Sequence, residues 1–396
     1  MSVKKSLLLI EPFTAFPQTS GGRTRIFHTI NELNRHFVLS VWSLIGSMEE
    51  GLFQTKWLNK LEVNFRNFPS KTKKLFSFLL TGQPYWFADS YSKKIISELK
   101  SEAIKFPVIQ IEFSQLLYLV KYLPSTSKKI FVAHDIASIS FWRRFCDEKN
   151  VLKKVLHSWR LLEVYFYERK YLPKFDLVIA VSKHDALILK QHFGLKQVRV
   201  IPNGVSKVCV LPTRADDGYI NLGYIGAFSH APNLEAVKFL LNFILPELEQ
   251  RNIKYRFYLA GQNDAALTKE LLLKSALVDK SAVKVLGYLD NIEDFYQQID
   301  LLIAPIFAGS GTRIKILESL SYGRPVLTTK IGAEGIEVSS SFLKTLEQQE
   351  QLDLKIWTKE ILAFANFDKK NDNQISDLKK ELAKITWEKI FTQNYF

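Results

Sequence analysis

Residues 306–329 read IFAGSGTRIKILESLSYGRPVLTT. The apolar end of a strand runs into a Gly-Ser-Gly turn, a helix follows, Gly323 breaks it, and a second apolar run begins. That is a strand–helix–strand unit, the repeating element of a parallel sheet. Its helix opens oddly. Arg313 and Lys315 stand in the first turn, where the positive end of the helix dipole disfavours a cation by about 0.3–1 kcal/mol. A bound anion reverses the preference. Gly309, Ser310 and Gly311 let the backbone approach a ligand closely, and the amides of Gly311 and Thr312 then point at a phosphate. Arg313 and Lys315 become phosphate clamps, and Glu318, three residues past Lys315, is placed to accept both hydroxyls of a ribose. The competing reading is a plain turn followed by a surface ion pair, Lys315 with Glu318 at i,i+3, worth about 0.2–0.5 kcal/mol.

The same alternation extends in both directions. Apolar runs SLLLIEPF, FVLSVWSLI, PVIQIEF, KKIFVAHD and FDLVIAVS fill the first half; INLGYIGAF, KYRFYLAGQ, AVKVLGY, DLLIAPIF and RPVLTT fill the second. Helical patterns separate them, at 23–35, 183–193 and 234–250 among others, and Ser182 reads as the N-cap of the second of these. Two such series predict an α/β protein of two doubly wound domains, 1–205 and 206–375, joined near VIPNGVSKVCVLPTRADDG. The tail, 376–396, reads as one amphipathic helix carrying Leu378, Leu382, Ile385 and Trp387, either closing a sheet edge or crossing back to the first domain. Open α/β sheets bind ligands beyond the carboxyl ends of their strands. Two loops there are rich in glycine: the one with Gly21 and Gly22, and the one from Gly309 to Thr312.

Charge is distributed unevenly. The net charge of the 396 residues is +14, yet residues 1–205 hold 31 Lys/Arg against 16 Asp/Glu while the remainder holds 23 against 24. Such asymmetry speaks of partners: an anionic membrane surface, a phosphate-bearing substrate or nucleic acid. Residues 140–175 concentrate it, with nine Lys/Arg against four Asp/Glu interleaved with Trp142, Trp159, Tyr165 and Phe166. That composition suits a helix lying on a membrane, joined there by KTKKLFSFLL, or else a long helix with its aromatics in the core. No apolar run reaches the roughly 18–20 residues a spanning helix needs, and LLLI is short for a secretory core, so a cytoplasmic protein with peripheral placement on the inner face of the cell membrane is expected. Cys146 and Cys209 give no disulfide framework.

Several functions lack their residues. There is no Gly-Lys-Ser/Thr of a P-loop, no Gly-x-Gly-x-x-Gly after the first strand, no His-Glu-x-x-His and no Asp-x-Asp, so no metal or cofactor is expected. No nucleic-acid motif is present, so nucleic acid is not an expected partner.

At this point the residues carry a resemblance. SGGRTRIFHTINEL, IFVAHDI, FDLVIAVSKHDALILKQHFG, VRVIPNGV, LGYIGAFSHAPNLEAVKFLLNFILPEL, YLAGQ, the run from Val283 to Ile336 and ITWEKIF occur in the order seen in retaining glycosyltransferases of family four. FSFLLTGQPYWFADSYS resembles the subset that builds bacterial surface polysaccharides. The resemblance implies the GT-B architecture, two facing Rossmann-like domains with parallel sheets, an inter-domain cleft and a C-terminal helix crossing back. It implies a nucleotide-sugar donor in the second domain, a glycan or lipid-linked glycan acceptor in the first, and metal-independent retaining transfer; a nucleotide-sugar epimerase or hydrolase is the alternative on the same fold. Position by position, Gly21 and Gly22 match the loop against the donor diphosphate, His134 the histidine near the donor sugar, and Glu318 the carboxylate on the ribose. Gly226 falls in the phosphate loop, and Tyr288 where the family's base site forms. Two departures stand out. Ser310 replaces the carboxylate eight residues before Glu318, and Ala227 and Asn233 replace the Arg and Lys that meet the diphosphate. Arg313 and Lys315 are expected to supply that missing charge.

Overall fold

The computed structural model describes residues 4–44, 62–65, 84, 93–215, 217–228, 230–261, 265–309, 311–367 and 371–395. Ser310, KTKKLFSFLL and almost all of FSFLLTGQPYWFADSYS therefore lie outside the described residues. The chain divides into two compact units: Met1–Gln18 with Gly22–Pro202 and Phe391–Phe396, and Thr19–Gly21 with Asn203–Ile390.

The first unit is built on β1 (Ser6–Glu11), β2 (Val38–Ser43), β3 (Glu62–Phe65), β4 (Val108–Glu112), β5 (Lys128–Ala133), β6 (Leu177–Ala180) and β7 (Val198–Val200), with helices α1 (Gly21–His36), α2 (Lys93–Glu102), α3 (Ala137–Asp147), α4 (Val151–Tyr171) and α5 (Lys183–Phe193). Every pairing is parallel, in the order β3-β2-β1-β4-β5-β6-β7. Period-two alternation splits β1 between the two faces: Leu7 and Leu9 pack with Ile26, Ile30 and Leu33 of α1, while Leu8 and Ile10 join Ile109, Ile111 and Phe131 on the other side. Both faces are covered, which is why these strands read as continuous apolar runs. Ser182 caps α5 by accepting from the Asp185 amide at 3.0 Å, and Gly194 ends it in the left-handed region at φ 66°.

The second unit contains β8 (Ile220–Ile225), β9 (Tyr255–Ala260), β10 (Val283–Gly287), β11 (Leu301–Ala304), β12 (Val326–Thr329) and β13 (Leu343–Leu346). Its helices are α6 (Ala231–Phe239), α7 (Leu245–Gln250), α8 (Ala265–Leu273), α9 (Glu293–Gln298), α10 (Ile314–Ser321), α11 (Leu354–Ala365), α12 (Asp372–Lys384) and α13 (Trp387–Asn394), the last running on into the first unit. The sheet order is β10-β9-β8-β11-β12-β13, again all parallel. Leu222, Phe257 and Ile303 face α6 and α11; Tyr258, Leu302 and Val326 face α9, α10 and α12. The helical pattern over 234–250 is interrupted by a π turn at Leu240–Ile244, just before Pro246, which has no amide to donate to the preceding turn.

The tail departs from the single helix expected over 376–396. It forms α12 and α13, broken at Ile385 and Thr386. There the backbone pairs with Val205: the Val205 amide donates to Ile385 at 3.0 Å and the Trp387 amide to Val205 at 3.1 Å. Backbone groups spent on that pairing cannot continue a helical ladder. Leu378 and Leu382 pack in the second unit, and only the last six residues cluster with the first.

Gly223, in the middle of β8, shows how tightly the second sheet is covered. A Cβ there would lie 2.6 Å from Ile299 Cγ2 and 2.8 Å from the Phe295 ring. Gly223→Ala is expected to lower the stability of the second unit by about 1–3 kcal/mol through overpacking. Urea unfolding checks this, and an unchanged midpoint would show that α9 is free to shift.

Candidate functional site

Both sheets share one consequence of their winding. Where the strand order reverses, the connections leaving two neighbouring strands diverge to opposite faces and open a crevice at the carboxyl ends. In the first sheet the reversal lies between β1 and β4, in the second between β8 and β11. The residues with chemistry cluster at these two places.

In the second unit the loops beyond β8 and β11 bring together Gly226, Asn233, Arg313, Lys315 and Glu318. Gly309 and Gly311 adopt φ 103° and 78°, a region that side chains rarely enter, so the turn before α10 depends on them. Arg313 is the N-cap residue of α10, and its guanidinium donates back to the carbonyls of Gly311 and Ala308. Lys315 does not pair with Glu318. Its Nζ donates to Tyr224 Oη at 3.0 Å and to Asn233 Oδ1 at 2.9 Å, while the Asn233 amide group donates to the Ala227 carbonyl. A Cβ on Gly226 would stand 2.8 Å from Lys315 Nζ, so the glycine leaves the ammonium its place. The Glu318 carboxylate, half-buried, has neither hydrogen-bond nor ion-pair partner among the described residues. The plain ion-pair reading of this helix is thus not what the structure holds.

Burial then acts on both charges. It lowers Lys315 to about 7, helped by the Arg313 charge and opposed by Glu318. It raises Glu318 to about 7, opposed by Lys315. Both groups therefore change charge near neutrality. Thr312 offers its carbonyl to the Asn203 amide group at 3.4 Å. Tyr288 stands apart: it follows β10, the edge strand, and is 46% exposed.

In the first unit His134 follows β5. Its Nε2 lies 2.6 Å from Glu112 Oε2, with Glu112 fully buried at the end of β4. An ionised carboxylate only accepts, so the ring carries its proton on Nε2 and presents Nδ1 as an acceptor. The ring stacks on Phe113 with centroids 3.8 Å apart and planes 7° apart. Phe113 itself has φ 69°, a sparsely populated conformation that turns the chain sharply after β4. Gly22 accommodates it, since a Cβ there would stand 2.7 Å from the Phe113 ring. Gly21 opens α1 and clusters with the second unit. A chain of side chains fixes the dyad from behind: Tyr395 hydrogen-bonds Gln110, Gln110 donates to Glu112, and Arg199 holds the carbonyls of Asn394 and Tyr395 at 2.9 and 2.8 Å. Arg25, buried on α1, donates to the Ile201 carbonyl at 2.8 Å. Burial lowers the His134 pKa; Glu112 pushes it back up and Arg25 adds to the depression.

Glu112, Tyr224 and Gln110 were not identified from the sequence. Glu112 left a signal, an acid closing an apolar strand at its carboxyl end, where ligands bind. Tyr224 left none, being one more aromatic in a core strand. Among the described residues no three His, Cys, Asp or Glu side chains gather to hold a metal ion.

Comparison with known proteins adds the following. Residues 51–207 match the model of the Glycosyltransferase Family 4 domain, and residues 220–352 that of the glycosyl transferases group 1. A 44.6 kDa protein in the cps region of Klebsiella pneumoniae, described as uncharacterized, is 21% identical over 212 residues, 52% of this chain and 53% of that protein. The chain thus matches about half the length of that relative. Among solved structures, Anabaena HepE in complex with UDP and glucose superposes with a TM-score of 0.67 at 15% identity, covering 98% of this chain and 97% of that one. WaaG, a glycosyltransferase involved in lipopolysaccharide biosynthesis, gives 0.67 at 13% identity, covering 98% of each chain. Sucrose-phosphate synthase from Thermosynechococcus elongatus gives 0.66 at 14% identity over 98% of this chain and 97% of that one. At these identities the superpositions establish the fold.

Glu112→Gln removes the charge that holds His134 upward. The His134 pKa is expected to fall further, read by NMR titration of the imidazole. An unchanged value would mean that the 2.6 Å contact does not govern the ring.

Proposed function

Because the chain belongs to the family-four type of glycosyltransferases, matched in both of its halves, we propose that it transfers a sugar from a nucleoside-diphosphate sugar to a glycan or lipid-linked glycan acceptor. The product is a bacterial surface polysaccharide, made at the cytoplasmic face of an anionic membrane. The reading is supported by the Klebsiella pneumoniae relative in a cps region and by the fold shared with WaaG, an enzyme of lipopolysaccharide biosynthesis.

The observation that carries the donor side is Lys315 and Glu318 sitting unpaired with each other at the strand reversal. The diphosphate lies against Gly226, the amides of Gly311 and Thr312, and Lys315, whose ammonium the phosphates stabilise. Arg313 exchanges its two carbonyl partners for phosphate oxygen. Glu318 accepts the ribose hydroxyls, and Tyr288 lies toward the base. With Ala227 and Asn233 replacing cations, Lys315 supplies from α10 the charge that β8 lacks, its Nζ resting 2.9 Å from Asn233 Oδ1.

Transfer proceeds with retention and without metal. The acceptor hydroxyl attacks the anomeric carbon on the face from which the diphosphate leaves. The bond from carbon to phosphate oxygen breaks as the new glycosidic bond forms, and the departing phosphate oxygen takes the hydroxyl proton. Lys315 and Arg313 stabilise the charge gathering on the leaving group. His134, with Nε2 fixed by Glu112, accepts a hydrogen bond from a donor-sugar hydroxyl at Nδ1 and positions it.

Thermal stabilisation by UDP, GDP, ADP and CMP tests the donor site. A nucleotide at about 100 times its Kd adds roughly 2.7 kcal/mol to the native state. One nucleotide is expected to stabilise the wild type and to lose that effect with Glu318→Ala and Arg313→Ala; wild-type affinity in both variants would refute the assignment. The pH dependence is a second readout. Binding needs Lys315 protonated and Glu318 ionised, so affinity is expected to peak near pH 7, falling above it as Lys315 loses its proton and below it as Glu318 gains one. Glu318→Gln should keep only the alkaline decline.

A further inference from the structure

The hairpin of α3 and α4 presents a surface that the donor chemistry does not use. Helix α4 is apolar on two opposite sides. Val164, Tyr167 and Tyr171 are buried in the first unit, and the Tyr167 hydroxyl accepts from the Tyr118 amide at 3.0 Å. Val151, Val155, Trp159, Leu162 and Phe166 recur at i, i+4, i+8, i+11 and i+15, which places them on one stripe about 22 Å long, and all are exposed. Leu152, at 82% exposure, and Leu156 widen the stripe, and Trp142 of α3 is 51% exposed. An apolar band this continuous is not a normal solvated face.

Charge identifies what covers it. Of the acids in residues 140–175 whose side chains are described, Glu168 is buried and accepts from the Ala137 and Ser138 amides, Glu148 accepts from the Asn150 amide, and Glu163 is half-buried. Lys149, Lys153, Arg169 and Lys170 are exposed. The outward charge is cationic, which attracts anionic lipid and repels a second copy of the same face. Two tryptophans in the band suit the water–lipid boundary. No helix among the described residues is long and apolar enough to cross a membrane, so this one would lie flat.

We propose that the outer stripe of α4, with Trp142 beside it, is the element by which the protein inserts into the surface of an anionic phospholipid bilayer. The inference deepens the membrane placement proposed above and rests on it for its purpose. The apolar band enters the boundary between headgroups and acyl chains, and the flanking cations meet lipid phosphates.

The test is co-sedimentation of the full chain with vesicles of phosphatidylglycerol and phosphatidylcholine, beside vesicles of phosphatidylcholine alone. Expected is binding to the anionic vesicles, weakened by salt, with a blue shift of tryptophan emission. Leu152→Glu with Phe166→Glu should lower the partition about tenfold or more, since both side chains are exposed in the folded protein and stand at opposite ends of the band. Arg169→Glu with Lys170→Glu, exposed cations beside the end of the band, should lower it on anionic vesicles. Nucleotide-induced thermal stabilisation of the same variants separates this inference from the donor assignment: it should match the wild type. No binding to anionic vesicles, or equal binding by the wild type and the Leu152→Glu, Phe166→Glu variant, would overturn the proposal. So would a dimer in sedimentation velocity that the same variant dissolves.

Discussion

A parallel sheet that reverses its winding cannot close the gap it leaves at the reversal. Successive connections run to opposite faces, and the backbone beyond two neighbouring strands diverges. Each sheet here has one such gap, between β1 and β4 and between β8 and β11. Glycines line both: Gly22 beneath Phe113, and Gly226, Gly309 and Gly311 around the start of α10. Everything proposed about the chemistry follows from residues delivered to these two places.

What those places do to charge is the second constraint. Lys315 and Glu318 sit three residues apart on one helix and yet do not pair, because Tyr224 and Asn233 draw the ammonium toward β8. Each charge then bears its own desolvation, and both groups shift toward neutrality at about pH 7. The proposed donor, with its diphosphate and ribose hydroxyls, would meet both groups there. The first unit uses burial differently. Glu112 and His134 are paired, and Tyr395 and Gln110 support the pair from the end of the chain. There the protein fixes one imidazole in one orientation, a positioning device more than a reservoir of charge.

The α3–α4 hairpin separates the two roles that aromatic residues play in this chain. The aromatics that pack inward on α4 are tyrosines: the Tyr167 hydroxyl accepts from the Tyr118 amide, and Lys121, Lys170 and Lys174 lie over the Tyr171 ring. Those that face outward are Trp159 and Phe166, with no core to fill. Sequence composition offered a core helix and a surface-binding helix as rival readings of this segment; α4 buries one side in the core and exposes on the other an apolar band, the one proposed to enter lipid.

The sequence by itself determined the parallel α/β class, the position of most strands and the glycine turn before α10. These depend on local periods, on glycine spacing and on the sign of charge near a helix end, all properties of contiguous residues. It did not reveal β3, β7 and β13, which are short, nor the break in the tail at Ile385, which arises from pairing with Val205 some 180 residues earlier. It named Glu318, Lys315 and His134 but not what holds them. Whether Lys315 would meet Glu318 or turn to Tyr224, and whether His134 would find a carboxylate, were settled only by the tertiary structure. Partners such as Glu112 and Tyr224 come from strands distant in sequence, and only the packing of those strands brings their side chains within hydrogen-bonding distance.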